Sequence, residues 1–301
     1  VDMQVILQVS ADWIFQLIWI LAFIIIWVYG QRIQTILTLK EIEGSLSRLK
    51  YMRDRGRQIA ISTIKEIGKP AEDPTARVDR LLEHVDIEPV SLDPTGIIRR
   101  LEHIIDVRDF RFKEEVRQMA PQADETQINN IANVLEAALA LNHVYKVVRH
   151  YYLMGKKTLS FYVILQIQML LPLIMRESEA FVNALKAFTL GQPIGDGAGA
   201  LVAARLMHDK EKRLIAQDTV VSETQIEGRR TYVIKAKGPG GNVGKPGEAI
   251  KQILEEEEGK VALIIIIDAA QKLEGEKAGD VAEGVGVAIG GPGVDKYKVE
   301  E

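Results

Sequence analysis

Two aspartates stand where a side chain can most readily do chemistry. Asp196 lies in Pro193-Ile194-Gly195-Asp196-Gly197-Ala198-Gly199, an acidic glycine loop that opens a helix. Asp268 ends Val261 to Ile267, a continuous β-branched and aliphatic run suited to a central parallel strand. Open α/β sheets place ligands beyond the carboxyl ends of their strands, where Asp268 would stand. Two carboxylates facing one cavity can share a proton, one acting as base toward water while the other donates to the leaving group. The same pair could instead hold a divalent metal ion, with Glu274 as third oxygen ligand and Glu223, Glu276 and Asp280 as further ones. The plainer uses are a helix N-cap for Asp196 and a capped strand end for Asp268. Catalysis requires the two carboxylates within about 4 to 7 Å in an open cleft, whereas an interface role predicts both covered by a neighbour.

Between the aspartates, a strand over Thr231 to Ala236 runs into Lys237-Gly238-Pro239-Gly240-Gly241-Asn242-Val243-Gly244-Lys245-Pro246-Gly247-Glu248 and a helix to about Glu257. This fails as a phosphate-binding P-loop, because Pro246 replaces the magnesium-binding hydroxyl and Pro239 occupies the first glycine position. Gly284-Val285-Gly286-Val287-Ala288-Ile289-Gly290-Gly291 misses the dinucleotide fingerprint by one residue. What survives is an anion or backbone cradle of Lys237, Gly238, Gly240, Gly241, Gly244 and Lys245 at a helix start, or else tight turns that need positive φ.

These pieces resemble two related groups of endopeptidases, the spore germination proteases and the hydrogenase maturation proteases. There an aspartate loop of the form D-x-x-G opens a helix and a strand ending in Asp-Ala supplies a second carboxylate. The counterparts are Asp196 with Gly199, and Asp268 with Ala269. The loop Gly238 to Gly244 and the stretch Ala288 to Val294 resemble glycine-rich segments of the germination proteases. The resemblance covers residues 190 to 294 and implies a phosphorylase-like α/β fold, with a peptide or protein substrate. The maturation proteases also use a histidine ligand. Here the region's one histidine, His208, lies twelve residues past Asp196, about 18 Å along a continuous helix. The whole chain also resembles an uncharacterised archaeal membrane-protein family with an N-terminal anchor, a resemblance that carries no activity.

Trp13 to Tyr29 is uncharged, has Gln16 as its one strongly polar member and would span roughly 25 Å as a helix. With aromatic residues near both ends it reads as a transmembrane helix. Asp2 and Asp12 precede it; Arg32, Lys40, Arg48, Lys50, Arg53, Arg55 and Arg57 follow. The positive-inside rule then predicts a single-pass cell-membrane protein, N-terminus outside and C-terminal domain cytoplasmic, in contact with membrane lipid. Leu159 to Met175 is also apolar, but Gln166, Gln168 and Pro172 favour a buried helix over a second crossing. Beyond the anchor, Ile33, Ile36, Leu39, Ile42, Leu46 and Leu49 form an apolar helical stripe that either drives homo-oligomer formation or packs inside its own domain.

The expected fold is α/β plus α. Residues 1–30 are the anchor, 31–68 a juxtamembrane helix, 69–190 a helical domain, and 191–301 a glycine-rich, three-layer α/β domain. Helices are expected at about 75 to 86, 94 to 106, 109 to 119, 124 to 153 and 157 to 190. With 47% apolar residues the 301-residue chain can form real cores, and a net charge of −4 gives no electrostatic footprint for nucleic acid. The absence of cysteine excludes disulfides and thiolate-metal centres. The functional expectation is an anchored protein with a two-aspartate, peptidase-like hydrolase site. The competing expectations are a non-enzymatic oligomeric membrane scaffold and a phosphate or nucleotide sensor.

Overall fold

The computed structural model describes residues 3–84, 97–192, 194, 197–239, 241–270, 272, 274–289 and 293–300. In chain order these form α1 (Met3–Thr63), a π-helical turn (Ile64–Gly68), α2 (Thr75–Leu82), α3 (Ile97–Met119), α4 (Glu125–Thr158), α5 (Phe161–Thr189) and α6 (Gly197–Leu206). Strands β1 (Arg213–Ala216), β2 (Thr219–Ile226) and β3 (Arg229–Ala236) follow, then α7 (Pro246–Glu256) and α8 (Val294–Glu300). The chain divides into two compact units, residues 1–55 with 140–182, and 56–139 with 183–301.

The first unit joins α1 to the later part of α4 and most of α5. Leu39, Ile42, Leu49 and Met52 of α1 are buried, as are Ile164, Ile167, Leu171 and Met175 of α5, each set at spacings of three, four or seven. Ile33 and Ile36 are exposed, while Thr35 and Thr38 take the buried face. The expected apolar stripe thus holds from Leu39 onward but is out of phase before it. Polar contacts fix the edges: Arg48 pairs with Glu179 at 2.8 Å, Gln168 Nε2 donates to Glu41 at 2.9 Å, and the Arg53 guanidinium stacks 4.3 Å over Tyr145.

The expected transmembrane helix is overturned. Among the described residues no helix is long and apolar enough to cross a membrane. The seventeen-residue run from Trp13 stands at the lower limit of what a hydrocarbon core takes. It is one stretch of a 61-residue helix that turns polar at once through Gln31, Arg32 and Gln34. The single-pass topology, with its outside N-terminus and cytoplasmic C-terminal domain, falls with the span on which it rested.

In the second unit, the π-helical turn ends at Gly68, where a Cβ would lie 2.5 Å from the Ala120 Cβ; only glycine allows this approach. Helix α4 opens with a reciprocal capping box: Asp124 Oδ1 accepts the Gln127 N–H at 2.8 Å and Gln127 Oε1 accepts the Asp124 N–H at 2.9 Å. The sheet is a meander in the order β1-β2-β3, antiparallel throughout, with Thr219 opposite Ala236 and Ile226 opposite Arg229. Glu227 and Gly228, both at positive φ (51° and 75°), make the tight hairpin between β2 and β3. Helix α7 lays Ala249 and Ile253 on Ile215 and Val221 of the sheet, with Tyr232, Ile234 and Val261 at the margin.

The expected three-layer α/β domain is therefore also corrected. The protein is mostly helical, with a small three-stranded sheet among the described residues. Thr231 to Ala236 is a strand as expected, but its partner is β2, through a hairpin. Val261 to Ile267 forms no strand: among the described residues no backbone hydrogen bond engages it, so the parallel pairing that would build the expected layer is missing.

Candidate functional site

The glycine loop after β3 lies among several ion pairs of the second unit. Thr219, fully buried at the start of β2, accepts the Lys245 N–H on its Oγ1 at 2.7 Å and donates to the Gln217 carbonyl at 3.0 Å. This close approach dictates Gly244: at φ 71°, a Cβ would sit 2.5 Å from Thr219 Oγ1 and 2.7 Å from the Asp218 carbonyl oxygen. Gly241 rests against Asn133 of α4, with a Cβ position 3.1 Å from Asn133 Oδ1. The Asn242 Oδ1 accepts the Gly244 N–H at 3.3 Å. Among the described residues the Asn133 Nδ2 is buried without a hydrogen-bond partner.

The cations around the loop face carboxylates of the same chain. The Lys245 ammonium pairs with Asp106 of α3; burial alone would lower its pKa, but the Asp106 carboxylate outweighs it and the pKa is raised. Lys113 bonds Asp218 at 2.8 Å, and although burial pushes that carboxyl up, the lysine holds it below its ordinary range. Lys298 of α8 bridges Glu102 and Glu248, the latter at 3.2 Å. At the start of α7 the Gly247 N–H donates to Asp295 Oδ1 at 3.1 Å, so a side chain already takes the place an external anion would occupy. Asp109, near Lys113, Lys245 and Asp106, has its pKa raised by burial. Lys237 is exposed; its backbone N–H donates to the Asp218 carbonyl at 2.7 Å. Gly238 adopts φ 86° with open space around it, as a turn requires, and Gly240 lies outside the described residues. The carboxylates around the loop, Asp106, Asp218 and Asp295, carried no sequence signal, since they come from α3, the β1–β2 turn and α8.

Asp268 is exposed and accepts the Ala269 N–H on Oδ1 at 2.8 Å. Asp196 lies outside the described residues. The segments that carry the two meet at Gly199: a Cβ on this α6 residue would fall 2.0 Å from the Ile267 carbonyl oxygen and 3.8 Å from the Asp268 nitrogen. Glu274 sits in an exposed turn. No group of three or more His, Asp or Glu side chains that could hold a metal ion occurs among the described residues.

The residues leading to Asp268 are unusual for a folded surface. Leu263 is 69% exposed, Ile264 41%, Ile265 75% and Ile267 51%, while Val261 and Ile266 are half-buried. Leu263, Ile264, Ile265 and Ile267 therefore keep aliphatic side chains open to water along the segment. An uncharged, β-branched segment of this length with unpaired backbone has the makings of a strand awaiting a partner.

Two family descriptions match the chain: "Protein of unknown function (DUF1512) N-terminal domain" over residues 16–191, and "Domain of unknown function (DUF1512) C-terminal" over residues 194–301. Neither the curated proteins nor the solved structures contain a match.

Proposed function

The chain belongs to the DUF1512 family, and from that premise we propose that it is a self-assembling, non-enzymatic component whose second unit joins another copy of the chain through Val261 to Ile267. The observation that carries this is the exposed run itself, which no backbone hydrogen bond engages among the described residues. A free chain that keeps four large aliphatic side chains in water forgoes about 1.5–3 kcal/mol for each one it could bury fully. Contiguous apolar patches of this kind mark interaction sites in soluble proteins. A second copy is the occupant because charges of opposite sign bracket the run, Lys260 before it and Asp268 after it, an arrangement complementary to itself when reversed. Sedimentation equilibrium of the full chain tests the proposal: a concentration-dependent mass rising to twice 33.6 kDa or a multiple supports it, and a monomer at every concentration overturns it.

A second reading, hydrolysis by Asp196 and Asp268, is favoured by the Gly199 approach to Ile267, which joins the two acidic segments. The readings make opposite demands on Asp268, covered in the first and open to water and substrate in the second. Labelled casein provides the test. Cleavage that Asp268→Asn and Asp196→Asn each abolish, with oligomer mass unchanged, selects hydrolysis; cleavage indifferent to both removes it.

A further inference from the structure

We infer that the two copies pair antiparallel about Ile264, with Lys260 of each chain facing Asp268 of the other. The inference rests on the assembly reading above and adds its register. With Ile264 opposite its own counterpart, Leu263 faces Ile265, Val261 faces Ile267 and Lys260 faces Asp268. One two-fold axis then satisfies both ends, as an isologous interface requires. Leu263 and Ile265, the most exposed members at 69% and 75%, become direct cross-strand neighbours on one face. A shift by one residue would set Lys260 against an aliphatic side chain and leave each Asp268 without its cation, so charge and packing choose the same register.

Among the described residues neither charge has a buried partner. Lys260 bonds Glu258 at 2.9 Å, with both side chains about three-quarters exposed, a surface pair that exchanges readily. Asp268 accepts only a bond from its own neighbour, Ala269, on one oxygen among the described residues. Charges beside an aliphatic strand also discourage other registers and open-ended stacking, as an edge that must pair only once requires.

Charge exchange in the full-length chain tests this. In a Lys260→Glu dimer each new glutamate faces one Asp268 carboxylate of the other copy, and in an Asp268→Lys dimer each new lysine faces one Lys260 ammonium, two repulsive contacts per dimer in either case; each variant should weaken self-association about tenfold or more. The double variant should regain wild-type association. Equal mixing of the two single variants should do the same, because one chain of a mixed pair is then acidic at both ends of the run and the other basic at both. Rescue on mixing excludes pairing of the run with another segment of its own chain, and it excludes a fault in folding. A wild-type dimer that both single variants leave unchanged, or single variants that mixing fails to rescue, overturns the register while the assembly reading stands. A monomeric wild type overturns both.

Discussion

Replacing Ile265 by lysine separates assembly from folding. Ile265 is 75% exposed in the free chain, so the fold gains little from it and the substitution should change monomer stability by no more than about 0.5 kcal/mol. Across the proposed interface the same side chain is covered. Full burial of isoleucine contributes about 1.5–3 kcal/mol, and three-quarters of that is roughly 1–2 kcal/mol per copy, or ~2–4 kcal/mol for a symmetric pair. At 1.4 kcal/mol per decade, Ile265→Lys should raise the dimer Kd roughly 30- to 700-fold. Sedimentation velocity across a hundredfold concentration range measures it, with thermal melting at the lowest concentration as the folding control. An unchanged Kd would refute the argument; a collapse of the melting temperature would show that Ile265 supports the fold and is not held for a partner.

Gly68→Ala forces a Cβ onto Ala120 at 2.5 Å and should cost about 1–3 kcal/mol, read as a lower midpoint in urea unfolding. Thr219→Val deprives the Lys245 N–H of its acceptor at 2.7 Å and should destabilise by ~1–3 kcal/mol in the same assay. Asp79 is held below its ordinary pKa chiefly by its hydrogen bonds to Arg57, at 2.5 and 2.8 Å. A carboxylate depressed in the folded state contributes stability above its unfolded pKa of about 3.9 and loses it as pH falls through the lower folded value. Melting temperature should therefore drop on acidification below about pH 4, and Asp79→Asn should flatten part of that drop. Asp109 has the opposite sign, because burial raises its folded pKa and its charge opposes folding above the unfolded value. Asp109→Asn should raise the melting temperature at pH 7 and leave it unchanged near pH 3, a difference calorimetry resolves.

The helices were legible in the sequence because local chemistry marks them. Asp124 and Gln127 form the capping box that starts α4, and the three-and-four spacing from Leu39 onward marked a buried face. Helix α3 runs unbroken from Ile97 to Met119, where two helices were expected. Strands β1 and β2 were less legible: Glu227-Gly228 is a hairpin turn flanked by β-formers, but the glycine loops on either side suit parallel βαβ units equally well. Val261 to Ile267 misled for a related reason: an aliphatic run says that a segment seeks burial, not where it finds it. Trp13 to Tyr29 shows the same limit, since an apolar run at the shortest spanning length does not by itself make a membrane crossing. The charged knot at the glycine loop was half visible. Lys245 and its glycines stood out, whereas Asp106, more than a hundred residues earlier, becomes its partner only through the fold.

The most direct test of the assembly account is hydrogen exchange at the amides of residues 261–267 as a function of protein concentration. Self-pairing predicts slow exchange at high concentration that reverts on dilution to the rate of unpaired chain, in step with the loss of dimer mass. Exchange that is fast at every concentration, or equally slow at every concentration, would contradict it.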